Sequence, residues 1–214
     1  MQGLDVIVRL HAPADLDELG RAVFALALQD HRPVTIIIVC QNFDPAALDA
    51  ARLALAPIMA IAPEVALQLL NCPGAAMLDQ GLAACRARYI AVLDPDRLIY
   101  PEAYRLLIAE LQDSGAAIAF GGILATTIDR DGLAPLTLTK VRPVQGSDPG
   151  QPFVLDRGRI AAADLVADDA MAERDLLRRL CAHYKSSIRL KSTVLAEQTL
   201  TAAPEGAGRP QVKA

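Results

Sequence analysis

The stretch that most constrains this chain is Arg88-Tyr89-Ile90-Ala91-Val92-Leu93-Asp94-Pro95-Asp96, an apolar run that stops abruptly at two carboxylates. Tyr, Ile and Val favour extended backbone, and the run lacks the polar alternation of a strand with one wet face. It reads as a central strand of a sheet covered on both sides. Asp94 and Asp96 then stand at the carboxyl end of a strand, where open α/β sheets bind their ligands. Carboxylates so close together repel one another unless a cation joins them. A hard divalent cation whose shell is completed by phosphate oxygens resolves that conflict. The same residues, running into Tyr100-Pro101-Glu102, also read as a turn and a helix cap.

The 214 residues are enough to bury a full core in one domain. With 53% hydrophobic and only 4% aromatic residues, the composition is that of a helix-rich α/β protein rather than a disordered chain. A net charge of −4 supplies no basic field for nucleic acid or an anionic membrane. Cys40, Cys72, Cys85 and Cys181 are widely spaced without a CxxC pair, the pattern of small buried hydrophobes in a reducing compartment. The first residues lack a basic region followed by an apolar leader, and no apolar run reaches bilayer length. A soluble, cytoplasmic protein without a membrane span is expected; a homodimer is left open.

Along the first half, short apolar strands alternate with amphipathic helices. Strands are expected at Leu4–Leu10, Val34–Cys40, Val65–Leu70, Tyr89–Leu93 and Ala116–Phe120. Helices are expected over Ala14–Gln29, from Asp44-Pro45 onward, over Ala75–Arg86, and over Pro101–Gln112 with a stop near Gly115. This rhythm predicts a parallel sheet with right-handed crossovers and helices on both faces. It breaks after Gly121-Gly122, where Ile123–Ile128 and Leu136–Val141 flank the hairpin signal Asp129-Arg130-Asp131-Gly132. Arg142–Pro152 reads as a loop, Ala170–Tyr184 as a helix, Ser187–Lys191 as a short strand and Thr201–Ala214 as a frayed tail.

Taken together, these pieces resemble a family 2 glycosyltransferase domain of the GT-A fold. The opening run Val6-Ile7-Val8-Arg9-Leu10-His11-Ala12-Pro13 stands where the family has a strand leading to Thr-Tyr-Asn. Arg21–His31 stands in place of its following helix, and Val34–Cys40 in place of its "VIVVDDGS" strand. Ala75–Arg86 with the next strand resembles its "A-R-N-G-G-A" helix and "YI-FLD-D" passage. Asp94-Pro95-Asp96 matches its DxD motif, and Tyr100-Pro101 its proline after the metal loop. The likeness covers about the first 125 residues and resumes at Glu173–Leu180.

The resemblance implies a three-layer α/β/α sandwich with a mostly parallel sheet and a shorter hairpin-and-helix second half. Residues 1–200 would form one domain, with 1–122 binding the nucleotide sugar, 123–200 on the acceptor side and 201–214 a flexible tail. It implies transfer of a sugar from a nucleotide-diphosphate donor, a UDP-sugar, to an unassigned glycan, lipid or protein acceptor. Mg²⁺ or Mn²⁺ would assist by holding the diphosphate as the nucleotide leaves. Asp94 is then the diphosphate carboxylate and Asp96 the metal ligand. Glu173, in Ala172-Glu173-Arg174-Asp175-Leu176, falls at the family's base before an "LxxR" helix, with Asp168 and Asp169 as upstream substitutes. A carboxylate there would take the acceptor proton while the hydroxyl attacks the anomeric carbon.

Several positions depart from the family pattern. Cys40, Gln41 and Asn42 stand where a carboxylate normally meets the uracil ring; Gln41 can still donate to and accept from a base edge. Asn42 and Phe43 replace Gly-Ser and are expected to crowd a nucleotide. Leu10, His11 and Ala12 replace Thr-Tyr-Asn, with His11 a stacking or phosphate contact. Leu78-Asp79 replaces the ligand-binding Arg-Asn, leaving Asp79 as a polar contact. Gly121 either lets backbone approach a sugar or permits a bend, and His183 is a candidate late metal ligand or a helix-surface histidine. These departures keep a second reading open, a degenerate, non-catalytic GT-A domain that binds a ligand or partner.

Overall fold

The computed structural model describes residues 2–128, 135–141, 151–166 and 173–201. The first half is built from β1 (Leu4–Leu10), α1 (Leu16–Ala27), β2 (Val34–Gln41), α2 (Pro45–Ile61), β3 (Ala66–Cys72), α3 (Met77–Ala84) and β4 (Tyr89–Leu93). There follow β5 (Arg97–Ile99), α4 (Ala103–Ser114), β6 (Ile118–Ile128), β7 (Pro135–Val141), β8 (Phe153–Asp156), α5 (Glu173–His183) and β9 (Ile188–Thr201). Among the described residues the nine strands form one sheet in the order β3-β2-β1-β4-β8-β6-β9-β5, with β7 on the free side of β6. The β3-β2-β1-β4 block is parallel throughout, as the alternation of strands and helices predicts.

Strand alternation divides the core into two layers. Val6, Val8, Ile36, Ile38, Ala91 and Leu93 face α1, α2 and α4, which contribute Leu19, Val23, Leu55, Leu107 and Leu111. Ile7, Ile37, Val39, Ile90 and Val92 face α3 and α5, which contribute Met77, Leu78, Leu176, Leu177 and Leu180. Because neighbouring side chains point to opposite faces, both faces of β1, β2 and β4 are buried, and the strands read as unbroken apolar runs. Burying each Ile, Leu or Val here contributes about 1.5–3 kcal/mol. Asp5, the carboxylate inside the first of these runs, is only 4% exposed; its side chain accepts the Arg86 and Ala87 amides at 2.6 and 2.7 Å.

Local signals set several boundaries. The Asp44 side chain caps α2 by accepting from the Ala47 amide at 2.7 Å, with Pro45 at the first helical position. Gly115 ends α4 with φ of 69°, a left-handed conformation that costs glycine little. The expected hairpin is present as antiparallel pairing of β6 with β7, although its turn residues 129–132 lie outside the described residues. Other expectations are corrected. The strand expected to close at Phe120 runs unbroken through Gly121-Gly122 to Ile128. The short strand at Ser187–Lys191 is the start of the long β9, which reaches Thr201. Of the remaining expectations, residues 142–150, 170–172 and 202–214 lie outside the described residues.

Candidate active site

β1, β2 and β4 all end at the same rim of the sheet, placing Arg9, Leu10, Gln41 and Asp94 close together in space. Val8 pairs with Leu93, so Arg9 and Asp94 stand one step further along neighbouring strands, both on the α3–α5 side. Arg9 Nη2 lies 2.5 Å from Asp94 Oδ1, and Arg97 Nη2 lies 3.0 Å from Asp94 Oδ2. Arg97 also reaches towards the second carboxylate, with Nε 3.8 Å from Asp96 Oδ1. The Gln198 amide donates to Asp96 Oδ2 at 3.0 Å. Asp94 and Asp96 are therefore brought together across a shared guanidinium.

The Asp96 loop is held from behind by β9. Arg97 pairs with Gln198 and Ile99 with Ala196 across β5 and β9, and the Tyr100 amide donates to the Leu195 carbonyl at 2.9 Å. The Tyr100 hydroxyl donates to Glu197; burial, followed by this carboxylate, pushes the phenol up to about 12. A cleft of about 360 Å³ opens beside Asp96, lined by Glu18 and Arg21 of α1, Pro95, Leu98, Glu197 and Thr199.

The other expected site residues are placed as follows. His11 Nδ1 and Gln41 Oε1 are 3.1 Å apart, a hydrogen bond that joins the ends of β1 and β2 at the rim. Leu10 is fully buried in the core on the α1 side, so its side chain offers no ligand contact. Gly121 is also buried: a Cβ there would sit 2.5 Å from Leu195 Cδ1, so the missing side chain makes room for β9 rather than for a sugar. Asp79 lies apart, in a cavity of about 160 Å³ between α3 and the segment after β8, with Arg157, Leu165 and Val166. Glu173 is the first residue of α5, a helix on the same face of the sheet as α3. Ala172, Asp168 and Asp169 lie outside the described residues. His183 Nε2 stands 4.0 Å from Asp164 Oδ2 at the other end of α5.

Phe43 does not crowd the rim. It is 5% exposed and packed in the core, while Asn71 accepts its amide and donates to its carbonyl. Asn42 takes a φ of 54° and accepts the Gly74 amide at 2.9 Å, fixing the loop after β2. Arg9, Arg97 and Gln198 also stand at the rim around Asp94 and Asp96, and none of them was an expected site residue. Arg9 had a signal: a cation near the end of a largely apolar strand needs a partner.

The fold family implies a divalent cation on the DxD carboxylates, and the donor set does not suit one. Both Asp94 oxygens are engaged by guanidinium groups, and Asp96 faces Arg97 and Gln198. Among the described residues no three His, Cys, Asp or Glu side chains converge as a ligand set. A cation entering here would meet two resident positive charges.

Parallel strands that end together in acidic and amide side chains, with helices on both faces, define a GT-A-type α/β protein. The family model for glycosyl transferase family 2 matches residues 71–181, just over half of the chain. The chain belongs to that family. No curated protein matches it by sequence. Among solved structures, it is similar to S. aureus TarS, with a TM-score of 0.61 and 15% identity over 96% of this chain and 37% of that one. It is also similar to TarS 1-349 in complex with UDP, with a TM-score of 0.61, 14% identity and 96% and 62% of the two chains covered. For the UDP-GlcNAc complex of the same TarS fragment the values are 0.62, 13%, and 98% and 62%. At such identities the likeness is one of fold. The chain spans less than two thirds of each of these structures. Among the described residues no helix is long and apolar enough to cross a membrane.

Proposed function

We propose that the chain transfers a sugar from a nucleotide-diphosphate donor, a UDP-sugar, to an acceptor hydroxyl. The observation that carries this reading is the span of the family match, which includes both Asp94-Pro95-Asp96 and the start of α5 at Glu173. Likeness in fold to TarS structures containing UDP and UDP-GlcNAc supports the choice of donor. The donor lies over the ends of β1, β2 and β4, on the half formed by residues 1–122. Gln41 and His11 offer an amide and an imidazole to the base. Glu173 takes the proton of the acceptor, which approaches from the half formed by residues 123–200, while the hydroxyl attacks the anomeric carbon from the face opposite the leaving diphosphate. The carboxylates that would hold a metal, Asp94 and Asp96, are already engaged by Arg9, Arg97 and Gln198.

A second reading, a GT-A domain that binds without transferring, is favoured by one observation: the polar groups at the rim satisfy one another, Arg9 with Asp94 and His11 with Gln41. Two measurements separate the readings. Thermal shift with UDP and UDP-GlcNAc tests donor binding, since a ligand of the native state raises Tm by mass action. Release of UDP from UDP-GlcNAc, with water or added sugars as acceptor, tests transfer. A shift with turnover supports the enzyme, a shift without turnover supports the binding domain, and no shift contradicts both.

A further inference from the structure

We propose that the free edge of β3 and the outer face of α2 together form a contact between two copies of this chain, related by a two-fold axis. An edge strand presents unpaired N–H and C=O groups, and natural sheets blunt such edges with charge, proline or shortness. Among the described residues β3, β5 and β7 each pair on one side only. β5 is three residues long and begins with Arg97, while β7 begins with Pro135 and carries Lys140. β3 has no such guard. Its seven residues, Ala-Leu-Gln-Leu-Leu-Asn-Cys, include neither a charge nor a proline, and only Cys72 among them is buried. Their register with β2 runs from Ala66 to Cys72 without a bulge, so nothing turns the edge away.

α2 extends this surface. Ala50, Leu53, Ala54, Pro57, Ala60 and Ile61 are exposed and recur at helical spacing along its outer side. Leu53 and Ile61 are 77% and 71% exposed, the most open of the large hydrophobics among the described residues. A helix that lies on lipid carries Lys and Arg along its polar face. The only cation of α2 is Arg52, ion-paired with Asp49 at 2.7 Å. The face therefore suits an uncharged protein surface, and the same face of a second copy is one. As the crossover between parallel β2 and β3, α2 runs antiparallel to β3, and both elements are about 25 Å long. Their midpoints, Leu53 and Leu69, stand at about the same level. An antiparallel ladder of two β3 strands about Leu69 then brings Leu53 towards its own counterpart, with no like charges opposed. With helix and sheet layers of about 10 Å each, the strip measures about 25 by 20 Å per copy. About 1,000 Å² for the two copies reaches the size at which specific interfaces begin. Because the joined strands run in opposite directions, the two rims that carry Asp94 and Asp96 open at opposite ends, and neither covers the other.

The test is sedimentation of the intact chain across a concentration series, together with amide exchange in β3. The inference predicts the mass of two chains at about 100 μM, falling towards that of one chain on dilution, with exchange across 66–72 slower in the concentrated sample. Leu53→Lys and Gln68→Lys, at exposed positions outside the rim, should each weaken association by about tenfold or more while circular dichroism stays that of the wild type. Leu53→Ala serves where a lysine variant fails to fold, and should weaken association less. One-chain mass at every concentration would overturn the inference, as would a dimer that both lysine variants leave unchanged. Slow exchange of β3 already present in the dilute monomer would show the edge covered by the chain itself and overturn it too. A monomer that sediments with phosphatidylglycerol vesicles would give the face to lipid, with the same consequence.

Discussion

Arg9 and Asp94 join the carboxyl ends of two adjacent parallel strands through an ion pair of 2.5 Å between Nη2 and Oδ1. Arg97 completes the arrangement from the far side at 3.0 Å. Asp94→Ala would leave two sheltered guanidinium groups without their shared counter-charge. Because the pair is partly solvated, the expected cost is about 2 kcal/mol, below that of a fully buried pair. For a chain of this size that corresponds to a fall in Tm of roughly 4–8 °C. The exposed pair Arg52–Asp49 provides the contrast: Asp49→Ala should cost no more than about 0.5 kcal/mol. Thermal denaturation of both variants checks the difference.

Glu173→Gln keeps size and polarity at the start of α5 but removes the proposed base. UDP should raise Tm as it does in the wild type, while sugar transfer falls by about 100-fold or more. An unchanged rate would place the base elsewhere.

Asp156 is 1% exposed at the end of β8 and accepts from Arg88 Nε and Nη2 at 2.9 and 2.8 Å. Burial alone would raise its carboxyl, but the Arg88 hydrogen bond, the Gly158 amide and Arg159 outweigh it and hold the pKa below its ordinary 3.8. A depressed acid contributes stability that is present above its unfolded pKa and is lost as pH falls through the native one. Asp156→Asn should therefore cost about 3 kcal/mol at neutral pH. The gap to wild type should shrink as pH falls below the ordinary carboxylate value. Urea midpoints across that range measure it.

Gly121→Ala would set its Cβ 2.5 Å from Leu195 Cδ1, 3.1 Å from Cγ and 3.2 Å from Cβ, so β9 or the side chain must shift. The expected cost is about 1–3 kcal/mol, as for other overpacked cores. Gly20→Ala, with nothing within 4 Å of the new Cβ on α1, should instead stabilise by up to about 1 kcal/mol. Denaturant melts of the two variants should move in opposite directions.

The parts legible in the sequence were those with one physical cause acting over many residues. β1, β2 and β4 are buried on both faces, so their runs carry a single message, and the Asp44 and Gly115 caps mark helix ends by their own chemistry. β5 and β8, at three and four residues, are too short for any period to register. β9 hides for another reason: its pairing with β6 slips around Gly121-Gly122, from Lys191 to Val194, which breaks the alternation of its side chains. The same slip explains the fate of the site residues. Glu197 and Gln198 reach the Asp96 loop only because this late strand turns back against β5. Gly121 looked like an opening for a ligand because local sequence cannot distinguish it from an opening for Leu195.

Hydrogen–deuterium exchange with and without UDP-GlcNAc tests most directly where the donor sits. The account predicts protection in peptides that span the ends of β1, β2 and β4, around His11, Gln41 and Asp94. Protection confined to the cavity of Asp79 and Arg157, or none at a concentration that raises Tm, would contradict it.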